Sequence, residues 1–293
     1  MTRYFRQSLD FLLFSNIFIA LGAVAQGLVT YHLLGYSPSI GVLVFLFFST
    51  LLIYNLSILI QKPKNHLQSK YKRVKWIFGH YRLNISITLI AILVLIGLFF
   101  LMSWRSQLLL VGLAILSLGY ALPLFSLNGK KFGLRKIPGL KLFLIAFVWA
   151  LSVVVLPIFE LYSSFAFEIS NKDIAILTLK RFLFVAAITI PFDIRDIFQD
   201  KAFELKTIPT IFGVKKAYLL CQFMLISYLI LLFLFQSKGL NTDFFALFFT
   251  TILTGWLIFK SKWKKNEYYY FLYLDGTLIL QYLMLIIFSF IFY

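Results

Sequence analysis

The stretch PFDIRDIFQDKAFELKTIPTIFG, residues 191–213, carries four of the eleven acidic residues in a chain of 293. They are Asp193, Asp196, Asp200 and Glu204, at intervals of three, four and four. On a helix those intervals bring all four to one face. Like charges that close repel one another, so a divalent cation or basic neighbours must offset them. Arg195, Lys201 and Lys206 lie in the same stretch. Apolar runs flank it on both sides, which sets its carboxylates at a membrane boundary.

Those runs dominate the chain, which is 61% hydrophobic and 13% charged. Soluble domains are about half apolar and about a quarter charged. The composition therefore predicts an all-α, polytopic integral membrane protein forming one transmembrane domain over residues 1–293. Nine apolar segments can be drawn, at about 11–34, 39–61, 83–103, 106–125, 139–161, 174–192, 215–236, 242–260 and 268–292. Barrel strands would alternate over about ten residues; these runs are longer and apolar throughout, so they are expected to be helices. The basic start followed by a long apolar run reads as a retained first span rather than a cleaved signal.

Charge sets the expected topology. With nine spans, 23 of the 28 Lys and Arg residues fall on the side shared by the N-terminus and the even-numbered connections. The positive-inside rule puts that side in the cytoplasm, with the stretch 191–213 on it and the C-terminus outside. The formal net charge of +17 then belongs to loops facing anionic lipid, and nucleic acid is not an expected partner. Lys180 and Arg181, early in the sixth segment, are expected to snorkel to the outer interface. The single Cys221 permits no intrachain disulfide. His32, His66 and His80 have no zinc-ligand spacing, and no P-loop or GxSxG sequence is present.

Mg²⁺ takes hard oxygen ligands and is commonly held by one or two carboxylates plus substrate phosphates. Asp196 and Asp200, one turn apart, suit such an ion, and Asp193 adds a third carboxylate. Lys206, Lys201 and Arg195 suit a phosphate. The other reading of the cluster is a solvated loop with internal ion pairs.

The string RDIFQD at 195–200, continuing to KTIP at 206–209 and Gly213, resembles the second Asp-rich motif of the UbiA superfamily of intramembrane prenyltransferases. Glu204 stands where that family often has Gly. YALP at 120–123, followed by Lys130, Lys131, Arg135 and Lys136, resembles the family's Tyr-x-x-Pro and basic loop; Pro123 marks an end or kink of the fourth span. The family's first Asp-rich motif has no full counterpart. YNLSILIQ at 54–61 keeps the leading Asn55, but no carboxylate follows, leaving Asn55, Ser57 and Gln61 as neutral oxygen donors. Asp275, in YLDGT at 273–277, is an intramembrane carboxylate and so a functional candidate; either it faces the cavity and replaces a missing ligand, or it is a structural hydrogen-bonding group. Asn16 and Gln26 in the first span either line the same cavity or, the expected role of each, make helix–helix hydrogen bonds.

The resemblance implies a nine-helix bundle around a central cavity. It further implies Mg²⁺-dependent transfer of an isoprenoid chain from a polyprenyl diphosphate to a lipophilic or aromatic acceptor. On that model Asp193, Asp196 and Asp200 hold the metal and serve catalysis with Lys206. Asn55, Arg195, Tyr120, Lys130, Lys131 and Asp275 contact substrate. Aromatic residues, 19% of the chain, can stabilise an allylic cation. The absent first motif favours an alternative: a non-catalytic UbiA-like protein that binds or moves an isoprenoid lipid, or scaffolds a partner. An ion-coupled transporter would want several midplane ionisable residues, and Asp275 alone suits that role.

Overall fold

The structure, a computed structural model, describes residues 3–60, 69, 71–122, 125–127, 130–134, 137–164, 167–202, 204–235, 239–264 and 266–292. Its helices in chain order are α1 (Arg3–Phe14), α2 (Ile17–Leu34), α3 (Ile40–Ile60), α4 (Lys72–Gly79), α5 (Tyr81–Leu101) and α6 (Trp104–Ala121). After a short hairpin of β1 (Phe125–Leu127) and β2 (Lys130–Phe132) come α7 (Leu140–Ala150), α8 (Leu156–Ser164), α9 (Asn171–Arg195), α10 (Ile197–Ala202), α11 (Ile208–Phe212), α12 (Val214–Leu234), α13 (Thr242–Lys260) and α14 (Gly276–Phe292). A π-turn over Leu151–Val155 joins α7 to α8, and a second, Tyr269–Leu274, leads into α14.

Among the described residues, eight helices are long and apolar enough to cross a bilayer, and Trp104–Tyr120 is a shorter apolar helix in the place of the fourth expected span. The chain is thus an integral, multi-pass, all-helical membrane protein. Large apolar side chains such as Leu93, Phe100, Leu108, Ile115, Phe223 and Phe290 point outward. Water would not tolerate so continuous an apolar surface, whereas lipid does.

The first expected span is broken. Asn16 adopts a left-handed conformation, φ 70°, between α1 and α2. Asn is one of the few non-glycine residues that visits this region readily. The kinks have local causes too. Pro157 has no N–H to give the carbonyl four residues back, that of Val153. The Thr30 hydroxyl of α2 donates to that carbonyl at 2.7 Å, so the π-turn becomes a joint between spans. The second π-turn closes with the Asp275 N–H donating to the Tyr270 carbonyl at 3.1 Å and rotates Asp275 relative to a regular helix.

The stretch 191–213 does not form one helix. α9 ends at Arg195, Asp196 occupies the turn, and α10 begins at Ile197. The expectation that four acids share a helical face is corrected: the break lets Asp193 and Asp200 turn to a common Lys, pairs Asp196 with Arg195, and leaves Glu204 exposed beyond the helix. Glu204, φ 55°, sits where α10 closes: its N–H donates to the Lys201 carbonyl at 3.1 Å, and that of Leu205 to Asp200 at 2.8 Å. This is a Schellman closure, whose left-handed position favours Gly. Glu204→Gly is therefore expected to raise stability by about 0.5–1 kcal/mol, read as a higher melting temperature in detergent; an unchanged or lower one would contradict it.

Lys180 and Arg181 do not snorkel. Both are buried, each 3% exposed. Arg181 donates to Gln26 and, at 3.1 Å, to Gln281, and the Lys180 ammonium lies 4.5 Å from the Phe235 ring centre. Gln26 makes the expected helix–helix bonds, donating to the Leu278 carbonyl at 2.6 Å and to Gln281 at 3.1 Å.

Candidate active site

A polar cavity of about 230 Å³ opens where α2, α4, α7, α9 and the Tyr269–Leu274 turn meet. Six charged residues line it: Arg73, Lys141 and Arg195 against Asp193, Asp196 and Asp275. An apolar cavity of about 410 Å³ adjoins it and shares Tyr54 and Trp149 with it. Its walls are apolar side chains of α3, α5 and α6, among them Phe45, Leu95, Phe99 and Leu110.

One side of the polar cavity is acidic. Lys141, in the first turn of α7, sets its ammonium 2.7 Å from Asp193 and 3.5 Å from Asp200. The two carboxylates are 2% and 5% exposed. Gly139, φ 72°, turns the chain into α7, and its N–H donates to the Lys206 carbonyl at 3.0 Å. That bond fixes the start of α7 against the strand of chain that follows α10. Burial raises the Asp200 pKa and the nearby Lys141 ammonium opposes the rise. Arg195 grips both oxygens of Asp196, at 2.8 and 2.9 Å, and its guanidinium packs on Tyr270 and Phe192.

The other side is built from neutral oxygens and a guanidinium. Asn16, held in the left-handed break, donates to the Asn55 side chain at 2.6 Å and accepts from the Arg73 guanidinium. Arg73 is placed by α4, whose first N–H groups would otherwise lack partners. Glu267 accepts from the Lys72 N–H at 2.7 Å and from the Arg73 N–H at 3.1 Å. The negative charge also suits the positive end of the helix. Leu13, Phe14 and Phe271 pack with Trp76 to seat α4 on the bundle. Burial, and after it the charge of Arg195, pull the Arg73 pKa down to about 10.

The structure brings together six of the residues singled out in the sequence: Asn16, Asp193, Arg195, Asp196 and Asp275 line the cavity, and Asn55 is one hydrogen bond behind it. Asp200 joins them through Lys141. Tyr120, half-buried near the end of α6, is within electrostatic reach of Lys141. The Lys206 side chain is exposed and only its carbonyl engages the site. Lys130 and Lys131 lie on β2, opposite Leu127 and Ser126 in the hairpin. Pro123, Arg135, Lys136 and Gln61 lie outside the described residues. Arg73 and Lys141 were indistinguishable in the sequence from the other basic loop residues. The faint signal for Lys141 is its position two residues after a Pro-Gly turn, at the head of an apolar run.

Of the donors a Mg²⁺ ion would use, one half is present. Among the described residues, Asp193 Oδ2 is buried without a hydrogen-bond partner, and Asp200 Oδ2 has only the distant ammonium. Two carboxylates with free oxygens fit an ion completed by phosphate oxygens and water. Both Asp196 oxygens are taken by Arg195. No three His, Cys, Asp or Glu side chains among the described residues converge as a ready-made metal site.

No family model matches the chain, and no curated protein matches its sequence. Solved structures do match. A UbiA homologue from Archaeoglobus fulgidus bound to geranyl diphosphate and Mg²⁺ superposes with a TM-score of 0.65 at 12% identity, over 96% of this chain and 99% of that one. A UbiA homologue from Aeropyrum pernix gives 0.55 at 14%, covering 96% of each chain. A digeranylgeranylglyceryl phosphate synthase studied in membranes gives 0.56 at 16%, covering 96% and 97%. The fold of this chain is that of the UbiA prenyltransferase homologues.

Proposed function

We propose that this protein is a UbiA-type prenyltransferase, moving an isoprenoid chain from a polyprenyl diphosphate to a lipophilic or aromatic acceptor within the membrane. The observation that carries the reading is the adjoining pair of cavities. One is polar with three cations, the other apolar, and Tyr54 and Trp149 belong to both. An amphiphile with an anionic head and a hydrocarbon tail matches that pair. The bias of Lys and Arg among the connections supports a polar cavity that faces the cytoplasm.

In this reading the C1–O bond of the donor breaks and the diphosphate departs. Arg73, Arg195 and Lys141 are fixed charges aimed at the negative charge that develops there. A Mg²⁺ ion, when bound by Asp193 and Asp200, would neutralise the same leaving group. The allylic cation forms beside the faces of Tyr54, Trp149 and Phe271. The acceptor nucleophile bonds to C1 and sheds a proton to Asp275, a lining carboxylate with no ion pair among the described residues. Asp196 orients Arg195.

The test is purified protein with Mg²⁺, a set of prenyl diphosphates and a panel of aromatic acceptors, scored for pyrophosphate release. Asp196→Asn, which loosens the hold on Arg195, is expected to cut release by roughly 10²-fold; no release from the unsubstituted protein with any donor and acceptor would sink the assignment. The absence of acid from α3, where Asn55 stands, favours one second reading, a non-catalytic protein that binds or carries an isoprenoid lipid. Saturable donor binding with no pyrophosphate release from any acceptor would select it.

A further inference from the structure

We infer that Arg73 occupies the role of a metal ion: the donor diphosphate is clamped between the Arg73 and Arg195 guanidiniums and a single divalent cation, held by Asp193 and Asp200. The inference rests on the prenyl-diphosphate reading and makes its anion site specific to this chain.

Three independent features of the structure lead to it. First, both guanidiniums line the cavity with buried N–H groups that have no acceptor among the described residues, Arg73 Nε and Arg195 Nη1. A buried guanidinium N–H without a partner is costly, and an oxygen-rich anion in the cavity supplies the partner. Second, the two charges are held on one ring. The Phe271 centre is 4.8 Å from the Arg73 guanidinium carbon and 5.3 Å from that of Arg195. Two like charges gathered on one aromatic side chain repel, in keeping with the lowered Arg73 pKa, and a bridging anion reverses that repulsion. Planar guanidinium forks match phosphate oxygens in pairs, as a lysine would not.

Third, the side of the cavity facing Asp193 and Asp200 offers a second ion a single carboxylate, Asp275, and sets it beside the Arg73 charge. Its neutral donors are Asn16 and Asn55: the Asn16 oxygen accepts from Arg73, and the Asn55 oxygen accepts from the Asn16 amide. α3 contains no Asp or Glu. Neutral amide oxygens already engaged in these bonds do not complete a Mg²⁺ site with one carboxylate, and a cation placed there would meet the Arg73 charge. The left-handed break at Asn16 and the Glu267 cap on α4 both fix that guanidinium in place, so two separate features build the substitution.

The experiment counts metal ions rather than turnover. Full-length protein in detergent is titrated with Mn²⁺ in the presence of saturating inorganic pyrophosphate, and bound Mn²⁺ is read by electron paramagnetic resonance. One ion per chain, without Mn–Mn coupling, is expected. Arg73→Gln is expected to weaken pyrophosphate and geranyl diphosphate binding by about tenfold or more, with Arg73→Lys between it and the parent. Two ions per chain, or none with pyrophosphate bound, overturns the inference and leaves the prenyltransferase reading intact. Failure of both diphosphates to bind with or without Mn²⁺ overturns the prenyl-diphosphate reading and the inference with it. The count on the unsubstituted protein decides the matter even where Arg73→Gln does not fold.

Discussion

Lys141→Met is expected to be the most damaging single change in the polar cavity, costing about 3–5 kcal/mol of stability. The methionine fits the volume, so packing is not the cause. The ammonium lies 2.7 Å from Asp193 and 3.5 Å from Asp200, carboxylates that are almost wholly buried. Without it, two acids share a site of low polarity with no cation between them. Such a pair cannot both stay ionised, and one is driven to take up a proton. Two controls separate this from general damage. Lys141→Met combined with Asp193→Asn leaves a single carboxylate and is expected to recover most of the lost stability. Saturating Mg²⁺ is expected to raise the melting temperature of Lys141→Met more than that of the parent, because binding to the folded state alone stabilises it. The measurement is thermal unfolding in detergent. A single variant that melts with the parent would show that the ammonium does not hold these carboxylates together.

What the sequence showed of this site follows a physical line. Apolar runs and the basic bias are summed over many residues, so the bundle was legible without any knowledge of contacts. Asp193 and Asp196 were legible because carboxylates are so scarce in this chain. Asn16 and Gln26 stood out as polar groups in an apolar span, and both make interhelical hydrogen bonds. The break at Asn16 was not legible, since the left-handed conformation is held by Asn55 and Arg73 from elements far along the chain. The turn at Asp196 was hidden for a similar reason: intervals of three and four look helical whether or not the helix continues. Arg73 and Lys141 were each one basic residue among many beside a span. Their roles come from Glu267 capping α4 and from the Lys206 carbonyl anchoring Gly139, and neither contact leaves a mark in local sequence. Arg181 shows the same limit. A lone cation near a span end ordinarily reaches for water, and only acceptors on two other spans make burial possible.

That buried cation gives an asymmetric prediction. Gln26→Leu is expected to cost about 2–3 kcal/mol, whereas Arg181→Met is expected to cost less than about 1 kcal/mol or to stabilise. Arg181 has no carboxylate within ion-pair distance among the described residues. Its charge is held by the side-chain oxygens of Gln26 and Gln281, while Gln281 donates to the Tyr228 hydroxyl at 3.3 Å. Deleting Gln26 removes one of two acceptors and leaves a guanidinium deep in the bundle with a single one. Deleting Arg181 removes the charge itself. The two glutamines keep their mutual hydrogen bond of 3.1 Å, and Gln26 keeps the Leu278 carbonyl. In the Arg181→Met background Gln26→Leu is then expected to cost less than it does alone, because only its bonds to Gln281 and the Leu278 carbonyl are lost and no charge is left without an acceptor. A double-mutant cycle on melting temperature reads this directly. Arg181→Met proving as harmful as Gln26→Leu would mean that the guanidinium contributes net attraction to the bundle. The opposite ordering marks it as a buried charge that the surrounding amides only tolerate, kept for a reason other than stability.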